Sequence, residues 1–111
     1  MAQVSAVNLI IHKGTYFEET FSLIAEDGGG LNLNNTSITA KLRKHSTAST
    51  SYPFTTSITV ADSTVKVSMA STVTSTLPSG RCVYDVVLTT AGGLKNKVAE
   101  GTVIVEDTVS V

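Results

Sequence analysis

Apolar and polar residues alternate along LPSGRCVYDVVLTT, residues 77 to 90, and no other feature restricts the fold of this chain so tightly. Pro78, Ser79 and Gly80 form a turn signal. The period of two that follows places Cys82, Tyr84, Val86 and Leu88 on one side. Such a period belongs to a strand with one buried face, because successive side chains on a pleated backbone point to opposite sides. No long stretch shows a helical period instead.

The same rhythm recurs at a spacing of about ten residues. A first extended segment covers about Val4 to His12, and Gly14 breaks it. A second runs from Thr15 to Ala25, with Phe17, Phe21 and Leu23 on one parity. Glu19 shares that parity, which predicts either a bulge that shifts the register or a place at the sheet's end. Glu26 to Gly30 read as a loop. From Ser37 to Lys44 the pattern turns Ile38, Ala40 and Leu42 inward and Thr39, Lys41 and Arg43 outward.

Pro53 interrupts the next extended piece, around Tyr52, Phe54 and Thr56. Proline lacks a ladder donor, so this piece reads as an edge strand or a bulged one. Ile58 and Val60 precede the turn ADST, and Val65, Val67 and Met69 form a further inward row, which together predict a hairpin. ASTVTSTL, residues 70 to 77, reads as one helical turn or an irregular crossover. Val73 and Leu77 share its apolar face, and Ser71 or Thr72 caps it. The strand from Arg81 to Thr90 joins a last strand, Leu94 to Val105, through the hairpin signal Ala91-Gly92-Gly93. Both parities of that last strand are partly apolar, so its inward face stays ambiguous.

Seven or so strands with one crossover argue for an all-β, single antiparallel β-sandwich of immunoglobulin-like type over residues 1–111, with a small barrel as the alternative. The chain has 111 residues, enough for a core without staples. Charged residues are only 15% of it, against roughly 25% in soluble domains. Ser and Thr fill the gap, which suits packing against neighbours and equally suits an ordinary β-protein with Thr on its outer faces.

Net charge is −1, and the mixed KLRKH run at Lys41 to His45 reads as the outward face of a strand. Nucleic-acid binding therefore lacks an electrostatic footprint. No segment approaches the ~20 apolar residues of a membrane span, and no basic region precedes the apolar N-terminal run as in a secretory signal. A single cysteine excludes an internal disulfide and argues against zinc.

Chemistry-bearing groups are sparse. His12 and His45 read as surface residues, and no G-x-S-x-G elbow supports a nucleophile. Glu18 and Glu19 are neighbours, which a strand turns to opposite faces, so they do not form a cooperating carboxylate pair. Asp27, Asn32 and Asn34 lack calcium-loop spacing and fit a glycine-rich loop better. The sequence thus predicts no catalytic residue, no cofactor and no metal.

Three stretches, GTYFEETFSL, LNLNNTSITAKLRKH and VKVSMASTVTSTLPSGRCVYDVVLTTAGGLKNKVAEGTVIV, together resemble a family of small β-sandwich structural proteins of tailed bacteriophages. They are similar to virion structural proteins of T4-like phages of marine cyanobacteria and to the immunoglobulin-like domains of baseplate and tail proteins. The shared pattern is an F-x-x-x-F strand, a glycine loop, an L-x-L step and a Thr-rich turn before G-x-Y-x-Y-D. Cys82 stands where the family commonly has the first tyrosine; Tyr84 and Asp85 keep their places. The arrangement is similar to the tyrosine corner of such sandwiches, so Tyr84 is expected to supply the main packing and Cys82 to fill a smaller gap.

The resemblance implies a non-enzymatic virion component, a capsid decoration protein or a tail or baseplate adaptor, with other virion proteins or its own copies as partners. A carbohydrate- or surface-binding adhesion module is the alternative, weakened by the absence of Trp and the small number of aromatics. The expected core is Phe17, Phe21, Leu23, Ile38, Leu42, Val67, Leu77, Gly80, Cys82, Tyr84, Val86 and Leu88. Val4, Val7, Leu9 and Ile11 are candidate assembly residues, or simply the first sandwich strand.

Overall fold

A computed structural model describes residues 5–23, 29 and 33–110. Its strands are β1 (Ser5–Ala6), β2 (Leu9–His12), β3 (Phe17–Ser22), β4 (Ser37–Arg43), β5 (Tyr52–Pro53), β6 (Thr55–Thr59), β7 (Thr64–Met69), β8 (Gly80–Thr89) and β9 (Lys95–Glu106), with one helical turn, α1 (Ser71–Thr74). The larger sheet has the order β1-β9-β8-β4-β5, with β2 also on β9; the smaller has the order β3-β7-β6. In immunoglobulin lettering the smaller sheet is B, E, D and the larger is G, F, C, C′, with the first strand beside G. The chain is an all-β sandwich of that type.

The rows expected to face inward do so. Cys82, Tyr84, Val86 and Leu88 of β8 are buried against Val65, Val67 and Met69 of β7 and against Phe21, Leu23, Leu42 and Leu77. Phe17 and Ile38 are partly buried and pack on the same core. An aromatic cluster holds its centre, with Tyr84 stacked on Phe21 at 6.3 Å and edge-on to Phe54 at 6.4 Å. Gly80 differs from the rest of the expected core. It is exposed, and its φ of 103° lets the chain turn into β8.

Pro53 does mark an edge. β5 is the last strand of the larger sheet, only two residues long. Immediately after it the chain crosses to the smaller sheet, with Phe54 N–H bonded to Ala40 C=O at 2.9 Å. β6 and β7 form the expected hairpin.

Of the two alternatives for Glu19, the second holds: its register opposite Val67 is unbroken, and it is half-buried on β3, the edge strand of the smaller sheet. Three expectations need correction. Val73 points outward, and Thr74 takes the inward place beside Leu77. Ala70 precedes α1 without a side-chain cap, where Ser71 or Thr72 was expected. The first strand runs parallel to β9, whereas every other pair is antiparallel.

The ambiguity of β9 has a local cause. A register shift opposite Val86 and Val87 leaves both Val98 and Ala99 buried, so the inward parity changes within the strand.

Candidate interaction surface

The residues that carry chemistry lie apart. His12 is exposed, with its Nδ1 3.6 Å from Glu106 Oε1, and His45 contacts Thr47 at another loop. Glu18 is exposed while Glu19 points inward, as strand alternation requires. Among the described residues no group of three or more His, Cys, Asp or Glu side chains converges. Val4, Asp27 and Asn32 lie outside the described residues; Asn34 is an exposed turn residue.

Cys82 and Tyr84 divide the work of a tyrosine corner. Cys82 Sγ approaches Pro78 C=O at 3.9 Å, tying the crossover to β8 with a shorter arm than a phenol has. Burial raises the Cys82 thiol pKa, partly opposed by Lys44. Tyr84 directs its hydroxyl elsewhere and donates to Val7 C=O at 2.6 Å. Burial, reinforced by the charges of Glu19 and Glu100, pushes Tyr84 up to about 12.

That bond latches the N-terminal strand. In a regular parallel ladder the N–H of Thr102 would bond Val7 C=O, because Val7 N–H already bonds Glu100 C=O at 3.0 Å. Val7 C=O instead turns to Tyr84, and Asn8 Oδ1 replaces it, accepting from Thr102 N–H at 3.2 Å and from Thr102 Oγ1 at 3.0 Å. The inward turn of Val7 needs room at residue 101. A Cβ on Gly101 would stand 2.1 Å from Val7 O and 2.8 Å from Val7 C, so only glycine fits. Beyond this break Leu9 and Ile11 are buried in the chain's own core. They build the first strand and are not free for docking, while Val7 is half-buried beside them.

The outer faces of the two sheets differ among the described residues. On the smaller sheet, Thr20, Ser22, Thr55, Ser57, Thr59 and Thr64 surround Lys66 on the outer side. The larger sheet is different. Half-exposed Val83, Asp85 and Val87 follow one another down its middle, with Thr102 opposite Val83. A shallow hollow of about 620 Å³ crosses it, walled by Arg43, His45 and Ser46 on one side and by Ala6, Lys97 and Glu100 on the other. Lys97 and Glu100 are paired at 3.1 Å. Sequence alternation identified the outward residues of β4, but the bulge hid those of β9.

No protein-family model and no curated protein sequence matches this chain.

Proposed function

We propose that the chain is a non-enzymatic structural component of a tailed-phage virion and acts through protein–protein assembly on the outer face of the larger sheet. The virion assignment rests on the resemblance carried by the F-x-x-x-F strand and the G-x-C-x-Y-D stretch. The observation that supports assembly is the hollow on that face. Val83, Ala6 and Gly101 give it apolar surface, and Arg43, Asp85, Lys97 and Glu100 stand around them. A polar rim around a less polar centre is the anatomy of a protein-binding patch. The middle strand of the smaller sheet presents Thr64 and Lys66 on its outer face, ringed by hydroxyls.

Purified parent particles test the reading by quantitative mass spectrometry combined with electron cryomicroscopy. The chain is expected at a fixed copy number, on the capsid as decoration or in the tail or baseplate as an adaptor. A Val83→Glu, Val87→Glu double variant is expected to fold and to be left out of particles. Absence of the wild-type chain from purified particles would overturn the proposal.

A further inference from the structure

Sheet edges expose unpaired main-chain groups, and proteins block them with short strands, proline, inward charges or covering segments. Three of the four edges here are managed in these ways. β5 is two residues long and contains Pro53. β6 lies against β4, with Thr56 Oγ1 bonded to Ile38 C=O at 3.3 Å. β3 carries the inward Glu19. β2 has no such device among the described residues: it is four residues long, without proline or an inward charge.

Its free groups can be named. Val7 N–H bonds Glu100 C=O and Lys13 N–H bonds Glu106 C=O, so odd-numbered residues of this segment face β9. In a parallel ladder the alternate residues then face away, which leaves the N–H and C=O of Ile10 and the N–H of His12 on the open side. The C=O of His12 is already taken by Thr15, which bonds it through Oγ1 at 2.7 Å. The Ile10 side chain is 57% exposed, and its register partner Ile104 on β9 is 40% exposed. Two large apolar side chains thus stand together beside an unpaired strand edge.

We infer that this edge pairs with the same edge of a second copy, antiparallel, about a two-fold axis through Ile10. Three features select a second copy over an unrelated strand. Ile10 supplies both a donor and an acceptor, so a two-fold through it forms two reciprocal bonds from one residue. Ile10 then meets its own counterpart, and with Ile104 from each copy the junction becomes a band of four isoleucines. In that register His12 of each copy stands opposite Asn8 of the other and Lys13 opposite Val7, so no like charges face each other. The resulting interface is isologous and closed, and it joins two five-strand paths into one continuous sheet.

Sedimentation velocity of the full chain over a wide concentration range tests this. The expected result is a monomer–dimer equilibrium. Ile10→Pro removes only an N–H that the chain's own ladder does not use, and Ile10→Lys places a charge on the two-fold. Each should weaken dimerisation by about tenfold or more, with an unchanged circular dichroism spectrum. Ile10→Cys supplies a readout independent of affinity. Directly opposed residues in an antiparallel pair have Cα atoms about 5.5 Å apart, within disulfide range, so mild oxidation should yield a covalent dimer. Ser57→Cys on the smaller sheet should not. A wild-type chain that stays monomeric at all concentrations would overturn the proposal. So would a dimer that survives Ile10→Lys unchanged, and neither result would touch the proposed docking on the sheet face.

Discussion

The two sides of this sandwich are closed in different ways. On one side the chain itself passes from the larger sheet to the smaller through Phe54, and Thr56 bonds Ile38 across the gap. On the other, β2 and β3 belong to different sheets, and no hydrogen bond between these strands joins them among the described residues. The N-terminal strand is held there by burial of Leu9 and Ile11 and by the latch of Tyr84, Asn8 and Gly101. On the crossed side the two edge strands are β5, two residues long with Pro53, and β6, which lies against β4. A strand laid against an existing edge satisfies that edge and creates a new one. The proposed pairing of two copies uses the edge so created, on the side that the chain does not cross.

Substitutions on the two sides should separate these modes of closure. Phe54→Ala removes a buried ring that contacts Phe17 and Tyr84, and should cost about 3–5 kcal/mol of global stability. Its mark in denaturant unfolding is a lowered midpoint for the whole molecule. Gly101→Ala should cost about 1–3 kcal/mol, because backbone at Val7 must move. Its mark should be local, with amides of β1 and β2 losing protection more than those of β7. Equal loss of protection on both sides would erase the distinction.

A smaller effect sharpens the nature of the latch. Tyr84→Phe keeps the ring and removes the bond to Val7, so a loss of about 1–2 kcal/mol is expected. The same residue makes stability depend on alkaline pH. Tyr84 titrates at about 12 in the folded chain and near pH 10 when unfolded. The folded state therefore holds the proton more tightly. Its contribution is complete below about pH 10 and is lost as pH rises toward 12. Denaturant midpoints measured across that window should fall less steeply in Tyr84→Phe than in wild type. Parallel curves would show that the phenol is not desolvated.

Much of the sandwich was legible because burial on a single face imposes a period of two. Rows such as Ile38, Ala40, Leu42 and Tyr84, Val86, Leu88 could be read directly. Three features could not. Alternation carries no strand direction, so the parallel pairing of β2 with β9 left no trace in the pattern. At α1, hydrophobicity favoured Val73 for the inward place, but the neighbouring turn needs a polar partner. Thr74 Oγ1 accepts from Gly14 N–H at 3.1 Å and donates to Thr15 C=O at 2.8 Å, which Val73 could not do. The unguarded edge depends on which strands neighbour β2, a property of topology alone. Gly101 inside a strand was the one available sign of close backbone approach.

Amide hydrogen exchange at Ile10 tests the open side most directly. In dilute solution Ile10 N–H should exchange rapidly, while Leu9 and Ile11, bonded into the ladder with β9, exchange slowly. Raising the concentration should slow Ile10 and His12 and leave amides on the Phe54 side unchanged. An Ile10 amide that exchanges at the same rate at every concentration would contradict the account.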